Sequence, residues 1–277
     1  MNFNKFQILE FQLSSMVKDP ALVMIARRGS GKSFITRDIM YHLRKIPVGC
    51  VIAQTDRMNS FYRYFFPDLY IHYEIKDIIL KKILSRQSQI IDHEKEAKKN
   101  KQPSVDPSAI LVMDDCLADK GSWEKDPSIA EILMNGRHYR LTYILTMQTP
   151  LGISPSLRLN FDYVYLLNED SAINKKKLWM NYGSMIPTLA LFEKVFSKCT
   201  EDYRAMVINN RFPSNDIQKK IFWFKAKERK FTFGSKEFKY LHKKYYDPDY
   251  RRNSIGGQDL GLTKRKRNEP DIGIVLK

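Results

Sequence analysis

Two hydrophobic patterns alternate along this chain. Short, uninterrupted apolar runs occur at 22–26 (LVMIA), 50–54 (CVIAQ), 109–113 (AILVM), 142–147 (TYILTM) and 163–167 (YVYLL). Unbroken runs of this length, rich in β-branched residues, predict strands buried on both faces. Between them lie segments of helical period. Residues 32–46 place Phe34, Ile35, Ile39, Leu43 and Ile46 on one face and stop at Pro47. Residues 74–100 repeat with Ile75, Ile78, Ile79, Ile83 and Leu84, then turn polar into a lysine-rich, solvated end before Pro103. The first 20 residues read as an arm or short strand entering the core. The aromatic stretch Phe61–Phe66 reads as core or inter-subunit packing, with a stacking platform for single strands as the second reading. Helices alternating with buried runs predict an α/β fold: a central, mostly parallel sheet with helices on both faces.

The first strand runs straight into Ala26-Arg-Arg-Gly-Ser-Gly-Lys-Ser33. A strand, a glycine-rich loop and a helix in that order form the cradle of a nucleoside triphosphate. Glycine permits positive φ and close approach, so the backbone N–H groups of Gly29, Ser30, Gly31, Lys32 and Ser33 can wrap a β-phosphate. Lys32 is expected to reach the β- and γ-phosphates, and the Ser33 hydroxyl to meet Mg²⁺. The positive end of the following helix faces the same anion. Arg27 and Arg28 lie within the loop, to touch phosphates or to face solvent, and Arg28 is taken as a phosphate contact. The pattern G-x-x-x-x-G-K-[ST] begins with Gly, whereas this loop begins with Ala26.

The AILVM run closes on Asp114-Asp115. A carboxylate ending a central strand beside such a loop can hold a Mg²⁺-bound water, a role assigned to Asp114. Asp115 then occupies the position that polarises the attacking water, as general base or orienter. Most hydrolytic P-loop engines place Glu there, one methylene longer. The fourth run ends at Gln148, whose amide can donate to a γ-phosphate oxygen and accept from the lytic water. That run is expected between the P-loop strand and the acidic strand, the additional strand of motor-type P-loop ATPases. Arg137, Arg140 and Arg158 cluster around it, and Asn135-Gly136-Arg137-His138 is the favoured source of an arginine acting on a neighbouring subunit's site.

Charge adds a second theme. The 277 residues hold 47 Lys and Arg against 31 Asp and Glu, a net charge of +16. Such a field favours polyanions, nucleic acid above all, through phosphate neutralisation and counterion release. No zinc finger, RRM signature or helix-turn-helix spacing is evident, so binding blind to base sequence is expected. Cys50, Cys116 and Cys199 are scattered without metal-ligand spacing, which predicts neither a zinc site nor a disulfide framework and fits a reducing compartment. No apolar run is long enough to span a membrane, and residues 1–15 lack the apolar core of a signal peptide.

Taken together, Ala26–Ser33, AILVM-Asp114-Asp115, and Asn135-Gly136-Arg137-His138-Tyr139 leading to TYILTM-Gln148 resemble the genome-packaging ATPases of large DNA viruses. These poxvirus-type proteins belong to the FtsK–HerA class of P-loop ATPases. Lys220–Ala226 (KIFWFKA) resembles their C-terminal strand, and the similarity covers about 20–226. The resemblance implies ATP and Mg²⁺ as cofactors and a homo-oligomeric ring, hexameric or pentameric. It also implies transport of double-stranded DNA into a preformed capsid, with a capsid or portal partner. A virus factory in the host cytoplasm, or the virion, would be its location. The chain divides into an arm (1–20), an ATPase domain (21–246) and a basic tail from 247. The tail run Lys264-Arg-Lys-Arg267 reads as a flexible basic end that touches DNA or serves as a nuclear address. A terminase-like motor and a non-hydrolysing nucleotide-dependent DNA clamp remain alternatives. The acids Glu201, Asp202, Asp216 and Glu228 are too sparse for a terminase nuclease.

Overall fold

The structure, a computed structural model, describes residues 7–116, 126–213 and 216–247. Nine strands form one sheet: β1 (Leu9–Glu10), β2 (Ala21–Ile25), β3 (Val48–Ala53), β4 (Ile71–His72), β5 (Ala109–Asp114), β6 (Leu141–Met147), β7 (Tyr163–Leu166), β8 (Ala205–Asn209) and β9 (Ile221–Phe224). Their order across the sheet is β1-β9-β8-β7-β2-β6-β5-β3-β4. All five expected strands are present, and β6 lies between β2 and β5 with parallel pairing on both sides. Only β8 pairs antiparallel to its neighbours β7 and β9. The stretch expected as an arm or short strand contributes β1, paired with β9, and the buried ring of Phe11. The basic tail, including Lys264–Arg267, lies outside the described residues.

The unbroken apolar runs have a simple cause. In β2, Ala21, Val23 and Ile25 enter one core layer, while Leu22 and Met24 enter the other. The first layer is closed by α3 (Asp77–Lys99), α4 (Pro127–Asn135), α6 (Ala172–Tyr182) and α7 (Leu189–Thr200), through residues such as Leu80, Ile132, Leu178 and Phe192. The second is closed by α1 (Lys32–His42), the aromatic stretch 61–66 and α8 (Lys236–Tyr245), through Ile35, Ile39, Phe65 and Phe238. Two one-turn helices, α2 (Asp56–Asn59) and α5 (Pro155–Arg158), fill connections. A parallel sheet with both faces covered leaves no solvent side, so alternation disappears from the sequence.

Two positions read as core-facing are not. Phe34 and Ile78 are each 56% exposed. Both sit in the first turn of their helices, at the rim of the sheet, where the helical stripe runs past its supporting layer. The aromatic stretch is mainly core, with Tyr62, Phe65 and Phe66 buried, although Tyr64 faces solvent.

Beyond β9 the chain returns as a strap over α1. Lys227 N–H donates to Asp38 Oδ2 at 2.8 Å and Arg229 Nε to Asp38 Oδ1 at 3.1 Å. Phe233 N–H then donates to the Phe65 carbonyl at 2.8 Å, and Ser235 N–H to that of Pro47 at 2.8 Å. The strap therefore joins the helix after the P-loop to the aromatic stretch. On the opposite face, Gln87 of α3 is fully buried, and its Nε2 donates to the carbonyls of Pro107 (2.8 Å) and Tyr139 (2.7 Å). It thereby anchors the entries to β5 and β6. Gln87→Met keeps the volume but leaves both acceptors unpaired; chemical denaturation is expected to show a loss of about 1–3 kcal/mol.

Candidate nucleotide site

Parallel register decides where the polar ends of the strands meet. Asp114 pairs with Thr146 across β5 and β6, and Ile25 pairs with Met147 across β2 and β6. The loop 26–31, Asp114-Asp115 and Gln148 thus share one edge of the sheet. Gly29 and Gly31 adopt φ of +80° and +95°, conformations that L side chains rarely take. Gly31 is also the residue from which α1 starts. The loop is closed internally by the Ser30 hydroxyl, which donates to the Arg27 carbonyl at 2.7 Å. Ala26 requires no positive φ; its N–H donates to the Met147 carbonyl at 3.0 Å as an extension of the strand. This explains why alanine stands where the common pattern has glycine.

Lys32 reaches across to the acids. Its ammonium is ion-paired with Asp115 Oδ2 and lies 3.6 Å from Asp114 Oδ1, with the lysine side chain only 10% exposed. Both oxygens of Asp114 also accept from neutral hydroxyls: Tyr62 Oη donates to Oδ2 at 2.9 Å, and Thr146 Oγ1 donates to Oδ1. Thr146 Oγ1 in turn accepts the Asp115 N–H at 3.1 Å. Burial first, and then the Asp114 carboxylate, push the Tyr62 phenol well above its ordinary range, so it remains a donor. Asp115 holds φ of +50°, an uncommon conformation for a non-glycine residue and one that collects at functional sites. Gln148 Nε2 donates to Asp115 Oδ2 at 3.2 Å.

The donor set fits a hard divalent cation with a triphosphate. The Asp115 Oδ1 atom is buried without a hydrogen-bond partner. The Asp114 carboxylate is held in a fixed orientation, and oxygen donors suit Mg²⁺. Among the described residues, no group of three or more His, Cys, Asp or Glu is placed to hold a metal ion. The three cysteines are free and buried, and burial alone pushes the Cys50 thiol up to about 12.

The sequence-derived set therefore assembles in part. Residues 28–33, Asp114, Asp115 and Gln148 gather at one edge. Arg28 is exposed at the loop, and its neighbour Arg27 is ion-paired with Asp170. Arg137 is not among them. It precedes β6, at the opposite end of a seven-residue strand, roughly 20 Å away by strand geometry. There it pairs with the buried Asp162, which also accepts the Ala21 N–H at 2.8 Å. Arg140 pairs with Asp19 at 3.6 Å on the same far edge, and Arg158 pairs with Asn181. Within its own subunit Arg137 acts as a brace for the start of β2, not as a contact to the cradle. Two functional neighbours escaped sequence reasoning. Thr146 could have been found from its register opposite Asp114. Tyr62 has no sequence signal, because its partner lies 52 residues away inside an aromatic run.

The glycine-rich loop, the acid-ended β5 and the intervening β6 with its terminal amide define a P-loop ATPase fold of the additional-strand type. The chain belongs to the Poxvirus A32 protein family, which matches residues 8–241. That bears out the resemblance drawn from the loop, the acidic strand and the Gly-Arg-His segment. Protein L437 of Acanthamoeba polyphaga mimivirus is 59% identical over 281 residues, covering 100% of this chain and 98% of the relative. Protein 075L of Invertebrate iridescent virus 6 is 32% identical over 241 residues, covering 84% of this chain and 88% of its own length. Among solved structures, the genome packaging NTPase B204 from Sulfolobus turreted icosahedral virus 2, in complex with ATP-gammaS, superposes with a TM-score of 0.51 at 16% identity. It spans 76% of this chain and 99% of that one. At that identity the likeness concerns the fold.

Replacing Arg137 by Ala deprives the buried Asp162 of its nearest cation, leaving Arg211 at 3.6 Å. Thermal or chemical unfolding of Arg137→Ala is expected to show a loss of about 1–3 kcal/mol, with nucleotide affinity of the isolated subunit unchanged.

Proposed function

We propose that this protein is an ATP-driven translocase that packages viral double-stranded DNA into a preformed capsid. The observation that carries the reading is the union of Lys32, Asp114, Asp115 and Gln148 at the mouth of a P-loop. In this reading the amides of 29–33 cradle the β-phosphate and the N-terminus of α1 complements its charge. Lys32 leaves Asp115 for the β- and γ-phosphates. Its departure frees a carboxylate oxygen that accepts a proton from water, while the Gln148 amide, released from the same carboxylate, orients that water in line with the γ-phosphorus. Ser33 and Asp114 would hold Mg²⁺, which would supply neutralisation of phosphate charge. The water oxygen bonds to the γ-phosphorus as the bond to the β,γ-bridging oxygen breaks; ADP and inorganic phosphate leave, Asp115 gives its proton to solvent, and Lys32 returns to the acids. In this reading Arg28, exposed at the loop, contacts the phosphate chain.

Motor function needs more than hydrolysis. The +16 charge supports sequence-blind contact with DNA phosphates. Large apolar side chains on the surface, such as Met58 (89% exposed), Leu159 (85%) and Ile173 (69%), are positions that neighbouring subunits of a ring would cover. The family and the B204-like fold support genome packaging as the task, with a capsid or portal component as partner and a virus factory or the virion as location. To act in trans Arg137 would have to leave Asp162, which its guanidinium serves within its own subunit.

Turnover of ATP by the purified protein, measured with and without double-stranded DNA, tests the proposal. DNA-stimulated hydrolysis that disappears in Lys32→Ala is expected. Asp115→Asn is expected to retain ATP binding and to lose about 10²–10⁴-fold in kcat, the span of a general base. Binding of ATP with no turnover under any condition, DNA included, would favour the clamp. Tyr62→Phe, which removes one hydroxyl from Asp114, is expected to lower kcat about tenfold, equivalent to about 1.4 kcal/mol, with ATP affinity preserved.

A further inference from the structure

One exposed aromatic at the nucleotide edge has no part in the chemistry above. Tyr203 is 70% exposed, yet it lies against the P-loop: a Cβ built on Gly31 would sit 3.7 Å from its Cδ1 and 3.8 Å from its Cβ. It belongs to the short turn Glu201–Tyr203 between α7 and β8. Because β8 runs antiparallel to β7, its beginning lies at the edge where the parallel strands end. The turn thus reaches the cradle from the side opposite the acids. Lys32, Asp114, Asp115 and Gln148 mark the β5–β6 side of β2, while Tyr203 stands on the β7–β8 side.

The turn has an uncommon shape and is flanked by ion pairs. Asp202 and Tyr203 both adopt φ of +57°, two consecutive non-glycine residues in the left-handed region. Asp202 is ion-paired with Lys225 of the segment after β9. Glu201 is bridged to Lys198 at 2.9 Å and to Arg204 at 3.4 Å, and the Arg204 guanidinium lies 5.5 Å from the Trp223 ring centre. Nothing in this bracing buries the Tyr203 ring. Strain maintained to hold an exposed aromatic beside a phosphate cradle points to a ligand face rather than to packing.

We infer that Tyr203 is the stacking platform for the base of the bound nucleotide. This rests on the P-loop reading and extends it: a triphosphate lying along 28–33 with its γ end toward Asp115 directs its nucleoside toward β7–β8. The π-face of Tyr203 there takes a purine ring. Such stacking requires no hydrogen-bond readout, and removing it typically costs about 1–3 kcal/mol per base, or about tenfold to hundredfold in affinity.

The test measures equilibrium binding of a non-hydrolysable ATP analogue and of inorganic tripolyphosphate, both with Mg²⁺, to wild type, Tyr203→Phe and Tyr203→Ala. The expected result is unchanged analogue affinity in Tyr203→Phe and at least about tenfold weaker affinity in Tyr203→Ala, with tripolyphosphate bound equally by all three. Analogue binding by Tyr203→Ala equal to wild type overturns the inference and leaves the P-loop reading standing. A parallel loss of tripolyphosphate also overturns it, since the ring would then support the loop rather than the base. Wild type that binds neither compound defeats the P-loop reading itself.

Discussion

The site depends on how one ammonium is shared. Lys32 enters a region where two carboxylates lie side by side at the end of β5, and it is the cation that makes their proximity tolerable. Two like charges in a partly desolvated site repel strongly, and one shared cation relieves both. The hydroxyls of Tyr62 and Thr146 add dipoles to Asp114 without adding charge, so the balance remains one lysine against two acids. In the proposed reading a phosphate arriving in the cradle would compete for that lysine, and affinity for nucleotide would be a difference, the lysine's interaction with phosphate less its interaction with Asp115. Lys32, Asp114 and Asp115 form a closed ionic circuit within the chain.

That circuit is assembled by register. Side chains distant in sequence meet because β2, β6 and β5 run parallel and end together. The buried hydroxyl of Thr146 stands opposite Asp114 for the same reason. At the other end of the strands a second set of charges, Arg137 with Asp162 and Arg140 with Asp19, secures their beginnings. One edge holds the chemistry and the other holds the sheet. Arg137 and Arg140 both fall to the second edge because they precede β6.

What was legible in the sequence was what local rules govern. The glycine-rich loop, the acids ending an apolar run and the terminal Gln148 are each written within a few residues of a strand end. The additional strand could be anticipated from its terminal amide. Phe34 and Ile78 were misplaced because periodicity describes a helix face without marking where the supporting layer stops. The pairing of Arg137 with Asp162 inside its own subunit left no trace in the sequence, because the two meet only after folding. Tyr62 and Tyr203 were invisible for a related reason: one is disguised among aromatic neighbours, and the other depends on β8 reversing direction.

The reversal of β8 has an evolutionary consequence. Phosphate chemistry is fixed by strands whose register also fixes the core, so change there carries a folding penalty. The turn Glu201–Tyr203 is a surface connection between α7 and β8, outside the parallel register altogether. If Tyr203 stacks on the base and the strand ends hydrolyse ATP, substitutions in the turn would alter what meets the far end of a nucleotide while the other edge is inherited intact. Selection would then act on the two in separate stretches of chain.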